Sequence, residues 1–187
     1  SARREPAMRR YAETLRERVV ALGRAHDFVR PHSDESRRTD GPATVFAMLG
    51  ELFAPYGEAG VQRVRLQGDD APIDDRSATP LALVFHELAT NAAKYGSLST
   101  ASGVVNLEGR LDGEDFVMRW VERGGPVIEG EPDKTGFGSA LAQISVEGQL
   151  GGRLARNWSR RGLEVEVRAP LSAFVRTGEL AGVGAAR

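Results

Sequence analysis

Glu87, Asn91 and Lys94 are spaced four and three residues apart, so they share one stripe of the helix that the sequence predicts over 80–95. An acid, an amide and a cation stacked on one helix edge can orient a water, ligate Mg²⁺ through oxygen and meet a phosphate, with Tyr95 beside them. A solvated polar face would have the same spacing, so the helix alone leaves both readings open. The neighbouring stripe, Leu81, Val84, Phe85, Leu88 and Ala92, is apolar and must face a core. His86-Glu87 also begins the zinc-protease pattern His-Glu-x-x-His, but position 90 holds Thr90, which excludes it.

The loop over 122–138 adds to this helix. Glu122 closes a predicted strand and is followed by Gly124-Gly125-Pro126. Gly136-Phe137-Gly138 then precede Ser139, where the next helix is expected to begin. Glycines ahead of a helix N-terminus let backbone N–H groups approach phosphate oxygens, and the helix dipole favours the anion. One Gly-x-Gly is weak by itself. The pointer to a nucleotide site is the order: an acid-and-Asn helix, a strand-end acid with Gly-Gly, then Gly-x-Gly opening a helix.

The elements that must position these groups follow from periodicity. Met8, Tyr11, Leu15, Val19, Leu22, His26 and Val29 recur every three to four residues, predicting a long amphipathic helix with a coiled-coil seam. That seam needs a partner helix from another chain or from sequence outside this one. Residues 31–41 are polar and turn-rich and are expected to form a linker. Asp40-Gly41-Pro42 should open a short helix with Val45, Phe46, Leu49, Leu52 and Phe53 inward. Val64 and Leu66 alternate with arginines in a strand, and Thr79-Pro80 is the expected start of the 80–95 helix. Strands are expected over 103–111, 116–122, 152–158 and 163–169, and a helix over 139–150. Trp120 alternates with Phe116 and Met118 and is expected in the core. The fold class is therefore α+β, a two-layer sandwich of a mixed sheet with helices on one face, preceded by one long helix. The division expected is a helix over 1–30, the linker, a domain over 42–172 and a C-terminal tail over 173–187, loose from Gly178.

Phe85-His86-Glu87-Leu88-Ala89-Thr90-Asn91-Ala92-Ala93-Lys94-Tyr95-Gly96 resembles the N-box of the HWE histidine kinases, a group within the GHKL ATPase superfamily and its Bergerat ATP-binding fold. The family's name marks a His in that box and a later Trp-x-Glu, matched here by His86, Trp120 and Glu122; Gly136-Phe137-Gly138-Ser139 resembles the family's second glycine motif. The resemblance covers roughly residues 10–171. It implies ATP and Mg²⁺ as cofactors, with Asn91 as the Mg²⁺ ligand and Glu87 polarising the attacking group or supporting the metal shell. It likewise implies that His86, Lys94 and Tyr95 lie at the nucleotide or its lid. Glu122 would meet the adenine amino group, Gly124 and Gly125 would shape that pocket, and Gly136, Phe137, Gly138 and Ser139 would hold phosphates. A bacterial two-component kinase transfers the γ-phosphoryl of ATP to a histidine and relays it to a response regulator receiver domain. The family's acceptor pattern, approximately His-Arg-x-x-Asn, is absent here. The acceptor would therefore lie on a dimerisation helix outside this chain, in the same kinase or a second protomer; Arg24-Ala25-His26-Asp27 resembles part of the second dimerisation helix. The alternative within the fold is a phosphatase-biased or non-catalytic module that docks a response regulator. A serine kinase of the same fold fits the preceding helix and Trp-x-Glu poorly.

Composition sets outer bounds. The chain has 187 residues, net charge −1, 41% hydrophobic and 27% charged residues and no cysteine, so disulfides, thiolate metal sites and thiol nucleophiles are excluded. Residues 1–38 carry ten arginines against six acids, but the signs are interleaved, which reads as a solvated helix face rather than a nucleic-acid surface. Neither a membrane contact nor a leader is expected, and the cytoplasm is the expected compartment.

Overall fold

The computed structural model describes residues 4–29, 43–57, 62–131 and 136–174. The expected linker, the Asp40-Gly41-Pro42 helix start and all but the first two residues of the expected tail lie outside the described residues. Five strands form one mixed sheet in the order β1-β2-β3-β5-β4: β1 (Val64–Gly68), β2 (Val104–Asp112), β3 (Asp115–Arg123), β4 (Arg153–Ser159) and β5 (Gly162–Pro170). Only β1 and β2 run parallel; the other neighbours are antiparallel. Gly113, at φ 65°, allows the tight turn that pairs Asp112 with Asp115.

Period-two alternation puts Val105 and Leu107 of β2, Phe116, Met118 and Trp120 of β3, and Val165 and Val167 of β5 on one buried face. Among the described residues, α2 (Val45–Phe53), α3 (Asp75–Lys94) and α4 (Phe137–Ile144) cover that face, and α1 (Arg4–Val29) lies against α3 and α2. The α+β sandwich read from periodicity is the observed architecture. Phe53, Phe85 and Trp120 knit α2, α3 and β3 together, with ring centroids 5.7–6.4 Å apart. Trp120 is fully buried.

Three expectations need correction. The central helix α3 begins at Asp75, not at Thr79-Pro80. The Asp74 carboxylate accepts from the N–H groups of Arg76 and Ser77, and Ser77 Oγ completes a capping box, so a stronger cap lies upstream. Pro80 is the sixth residue of α3, past the first turn, and its missing N–H leaves the Arg76 carbonyl without its usual helical donor. The second correction is smaller: α4 starts at Phe137 with Gly136 as its N-cap, then widens into a π-helical turn over Ser145–Gln149.

The third correction concerns α1. It packs along α3 of its own chain, and the face it buries holds Arg18, Ala21 and Ala25. The alanines permit a close helix–helix approach. Of the expected seam, Met8, Leu15 and Val19 are exposed, at 67%, 47% and 61%. Leu22, His26 and Val29 are only half-buried. Over the three heptads from Met8 to Val29 a 3.5-residue spacing drifts by only about 60° around an α-helix, so α1 turns a neighbouring face to α3 and leaves Met8, Leu15 and Val19 uncovered.

Candidate functional site

The site is arranged along α3, whose buried stripe anchors it to the sheet while Glu87, Asn91 and Lys94 emerge successively towards its C-terminus. Glu87 is 5% exposed. Both of its carboxylate oxygens accept from Arg18 of α1: Arg18 Nη2 donates to Oε2 at 2.8 Å and Nε donates to Oε1. A two-toothed guanidinium–carboxylate pair is the strongest ordinary ion pair in a protein. Gly138 of the second glycine motif presses on it, and a Cβ there would overlap Glu87 Oε2 and crowd Arg18 Nη2. The Arg18 guanidinium also lies 5.5 Å from the centroid of the Phe137 ring. Glu87, Phe137 and Gly138 are thus brought together as expected, but around an arginine that sequence reasoning did not single out.

One turn further along α3, Asn91 is half-buried, and its side chain makes no hydrogen bond among the described residues. An amide in that state has an oxygen available for a cation or a bound water. Lys94 and Tyr95 are exposed at the helix end. The Tyr95 and Gly96 N–H groups return to the carbonyl of Asn91, closing the helix where the chain turns.

Beyond that turn lies the second acid. Glu122 is 3% exposed at the end of β3. Its Oε2 accepts from the Ser97 N–H at 2.8 Å, and its Oε1 from the Trp120 indole Nε1–H at 3.2 Å. Trp120 and Glu122 are two residues apart on one strand face, so the Trp-x-Glu spacing makes the tryptophan a donor to the acid as well as core. Gly96 gives Glu122 its space, since a Cβ there would overlap Oε2. Gly125 lies so close to Ser97 that a Cβ would sit 2.7 Å from its backbone. Gly124 turns the chain at φ 75°. Ser97 Oγ, alongside, is buried and has no hydrogen-bond partner among the described residues.

Arg63 holds this end together. Its guanidinium donates to the carbonyl oxygens of Leu98 at 3.2 Å, of Gly103 at 2.7 Å and of Thr100, fastening the segment whose Ser97 N–H meets Glu122. An arginine in a simple strand alternation carries no sequence sign of such a role.

Several expected residues lie elsewhere. His86 faces a groove of about 350 Å³ between α1, α3 and the 3₁₀ turn Ala54–Tyr56, lined also by Glu17, Arg24, Tyr56, Thr90 and Lys94. Burial there pushes the imidazole below its usual value, although Glu87 and Glu17 pull the other way. The Tyr56 hydroxyl shares a 3.3 Å hydrogen bond with Thr90 Oγ1, and its pKa is raised mainly by burial. Gly136 is exposed. Ser139 is half-buried, and its carbonyl accepts from Arg156 Nη2 at 3.1 Å.

The residues present fit a nucleotide with a divalent cation. Glycines crowd both acids, a partnerless buried hydroxyl lies beside the Glu122 pocket, and a half-buried amide without an internal partner sits between the two acids. Among the described residues there is no cluster of three or more His, Cys, Asp or Glu that would hold a metal alone, so any cation here would share its ligands with a phosphate or water.

Known proteins resemble this chain over most of its length. A blue-light-activated histidine kinase of Brucella anthropi is 36% identical over 168 residues, covering 87% of this chain and 33% of that protein. The histidine kinase domain of the Erythrobacter litoralis EL346 blue-light-activated histidine kinase superposes with a TM-score of 0.64 at 26% identity, covering 84% of this chain and 75% of that one. The longer Erythrobacter litoralis EL346 protein gives 0.67 at 25% identity, over 87% and 50%. This chain is homologous to part of the blue-light-activated histidine kinases and shares the fold of a histidine kinase domain. It spans about a third of the length of the curated relatives it matches. No family model matches it. No helix among the described residues is long and apolar enough to cross a membrane.

Proposed function

We propose that this chain is the ATP-binding catalytic domain of a bacterial sensor histidine kinase, and that it transfers the γ-phosphoryl of ATP to a histidine on a dimerisation helix, for relay to a response regulator. The observation that carries the reading is the half-buried Asn91 amide, without an internal partner, between two acids crowded by glycine. Asn91 and Glu87 are the residues that would hold Mg²⁺ and its water shell; the cation supplies neutralisation of phosphate charge. Glu122 keeps a spare lone pair on each oxygen, enough to accept from an adenine amino group while held by Ser97 and Trp120. Lys94 and Tyr95 are placed to meet phosphate or the base, and the free N–H groups opening α4 favour an anion. Catalysis of this kind rests on positioning and fixed donors rather than on covalent work by side chains. A cytoplasmic location and pairing with a dimerisation helix belong to the same reading.

Calorimetric titration with ATP, with and without Mg²⁺, tests it. Micromolar affinity, about −8 kcal/mol, is expected. Asn91→Ala should weaken binding at least tenfold with Mg²⁺ and little without it. Equal loss under both conditions would remove the metal role from Asn91, and no binding at millimolar ATP would end the nucleotide reading.

A further inference from the structure

Resting on the nucleotide reading, we propose that Arg18 is an internal clamp that holds α1 across the site and withholds Glu87 from the reaction, so that release of α1 is the step that makes the domain competent.

Three observations converge on Arg18. It occupies both oxygens of Glu87, and both residues are almost fully buried. A carboxylate engaged by a guanidinium on both oxygens is poorly placed to accept a proton from an attacking group or to turn towards a cation. The clamp reaches beyond the pair: Arg18 covers the Phe137 ring, and Gly138 is packed against both partners, so α1 also fixes the first turn of α4. Finally, Arg18 lies on the face with Ala21 and Ala25, three and seven residues on, which forms the contact of α1 with the rest of the domain. A change in α1 position therefore acts directly on the acid and on the phosphate-side glycines.

Linkage makes the proposal measurable. If nucleotide with Mg²⁺ draws Glu87 away from Arg18, nucleotide must loosen α1, and loosening α1 must tighten nucleotide by the same factor. Hydrogen exchange on the 187-residue chain reads the first effect, and calorimetry with a non-hydrolysable ATP analogue and Mg²⁺ reads the second. In Arg18→Ala, α1 amides should exchange at least tenfold faster while β2, β3 and β5 amides keep their protection, and the analogue should bind at least threefold tighter. Arg18→Lys, which can make only a single-point contact, should fall between. In Glu87→Gln, α1 should loosen too, and adding Arg18→Ala should loosen it little further. Unchanged α1 protection, or fully additive effects of the two substitutions, would overturn the clamp. Faster α1 exchange with unchanged or weaker nucleotide binding would overturn the withholding role. If Arg18→Ala also loses sheet protection, Arg18→Lys and Glu87→Gln decide. If wild type and variants alike bind no nucleotide, the nucleotide reading falls and the withholding role with it.

Discussion

The two buried acids at this site are held in opposite ways. Glu122 is tied to its own neighbourhood: a donor two residues back on the same strand and a backbone N–H from a segment that Arg63 fastens. Glu87 is tied to a side chain 69 residues away, on a helix that touches the domain along one narrow face. The first arrangement is part of the core and cannot be undone without unfolding that edge. The second depends on where α1 sits. Under the proposed function, the acid that would meet the base is built into the core, and the acid proposed for a controlled step is held from outside.

The comparison is broken most severely at Trp120. Trp120→Ala removes a fully buried indole together with the donor to Glu122, and should cost about 3–5 kcal/mol. For a chain of this size that is a fall of roughly 6–20 °C in melting temperature by calorimetry. Trp120→Phe keeps most of the ring and loses the N–H, so the fall should be smaller, about 1–3 kcal/mol, with a weaker affinity for ATP. Equal melting points for the two variants would assign the whole loss to the indole N–H, which both lack, and none to the ring that only Trp120→Phe keeps.

At the other acid, Gly138→Ala should displace Glu87 and Arg18 from each other, because the new methyl overlaps Glu87 Oε2. A cost of about 1–3 kcal/mol is expected from overpacking, with faster exchange confined to α1 and the first turn of α4. A global loss of protection would show that the Glu87 end is as much core as the Glu122 end.

Arg63→Ala sharpens the contrast from the Glu122 side. It strips donors from the Leu98, Thr100 and Gly103 carbonyls, leaving part-buried acceptors unmet at about 1–2 kcal/mol. ATP affinity should fall while α1 protection stays unchanged. Movement of α1 in this variant would show that the two ends are coupled through α3.

How much of this was legible in the sequence follows the same division. The sheet, its inward residues and the Trp120–Glu122 pair are local patterns of period two, and the glycines around 124 and 136 mark themselves. The start of α3 was misplaced because Thr79-Pro80 is a good local signal, but Asp74 with Ser77 is a better cap that a helix scan starting from apolar residues does not reach. The α1 seam was read from spacing alone, which records that a helix has an apolar side but not which neighbour covers it. Arg18 could not be found at all. Nothing local distinguishes it from the other arginines of α1, and its partner is set by how α1 lies on α3.

His86 supplies the smallest effect and bears on the same docking. Burial against α1 pushes its pKa below the ordinary value of about 6.5, so in the folded chain the ring is neutral near pH 7. The unfolded chain then binds a proton more readily than the folded one, and stability must fall as pH drops below about 6.5, down to the folded pKa. Above pH 6.5 both states are neutral at this position and the contribution is level. Because burial in the α1 groove is the main cause, an imidazolium gains hydration when α1 lifts, so protonation should loosen α1 before it affects the sheet, with Arg18 and Lys94 adding to the effect and Glu87 and Glu17 opposing it. Denaturant melts and α1 exchange between pH 7.5 and 5.5 measure this, with His86→Gln as the control. In that variant the part of the acid-side fall due to this ring should vanish. An unaltered pH profile would mean that the α1 groove stays wet enough to solvate an imidazolium, and that α1 is kept in place by the Arg18–Glu87 pair without help from His86.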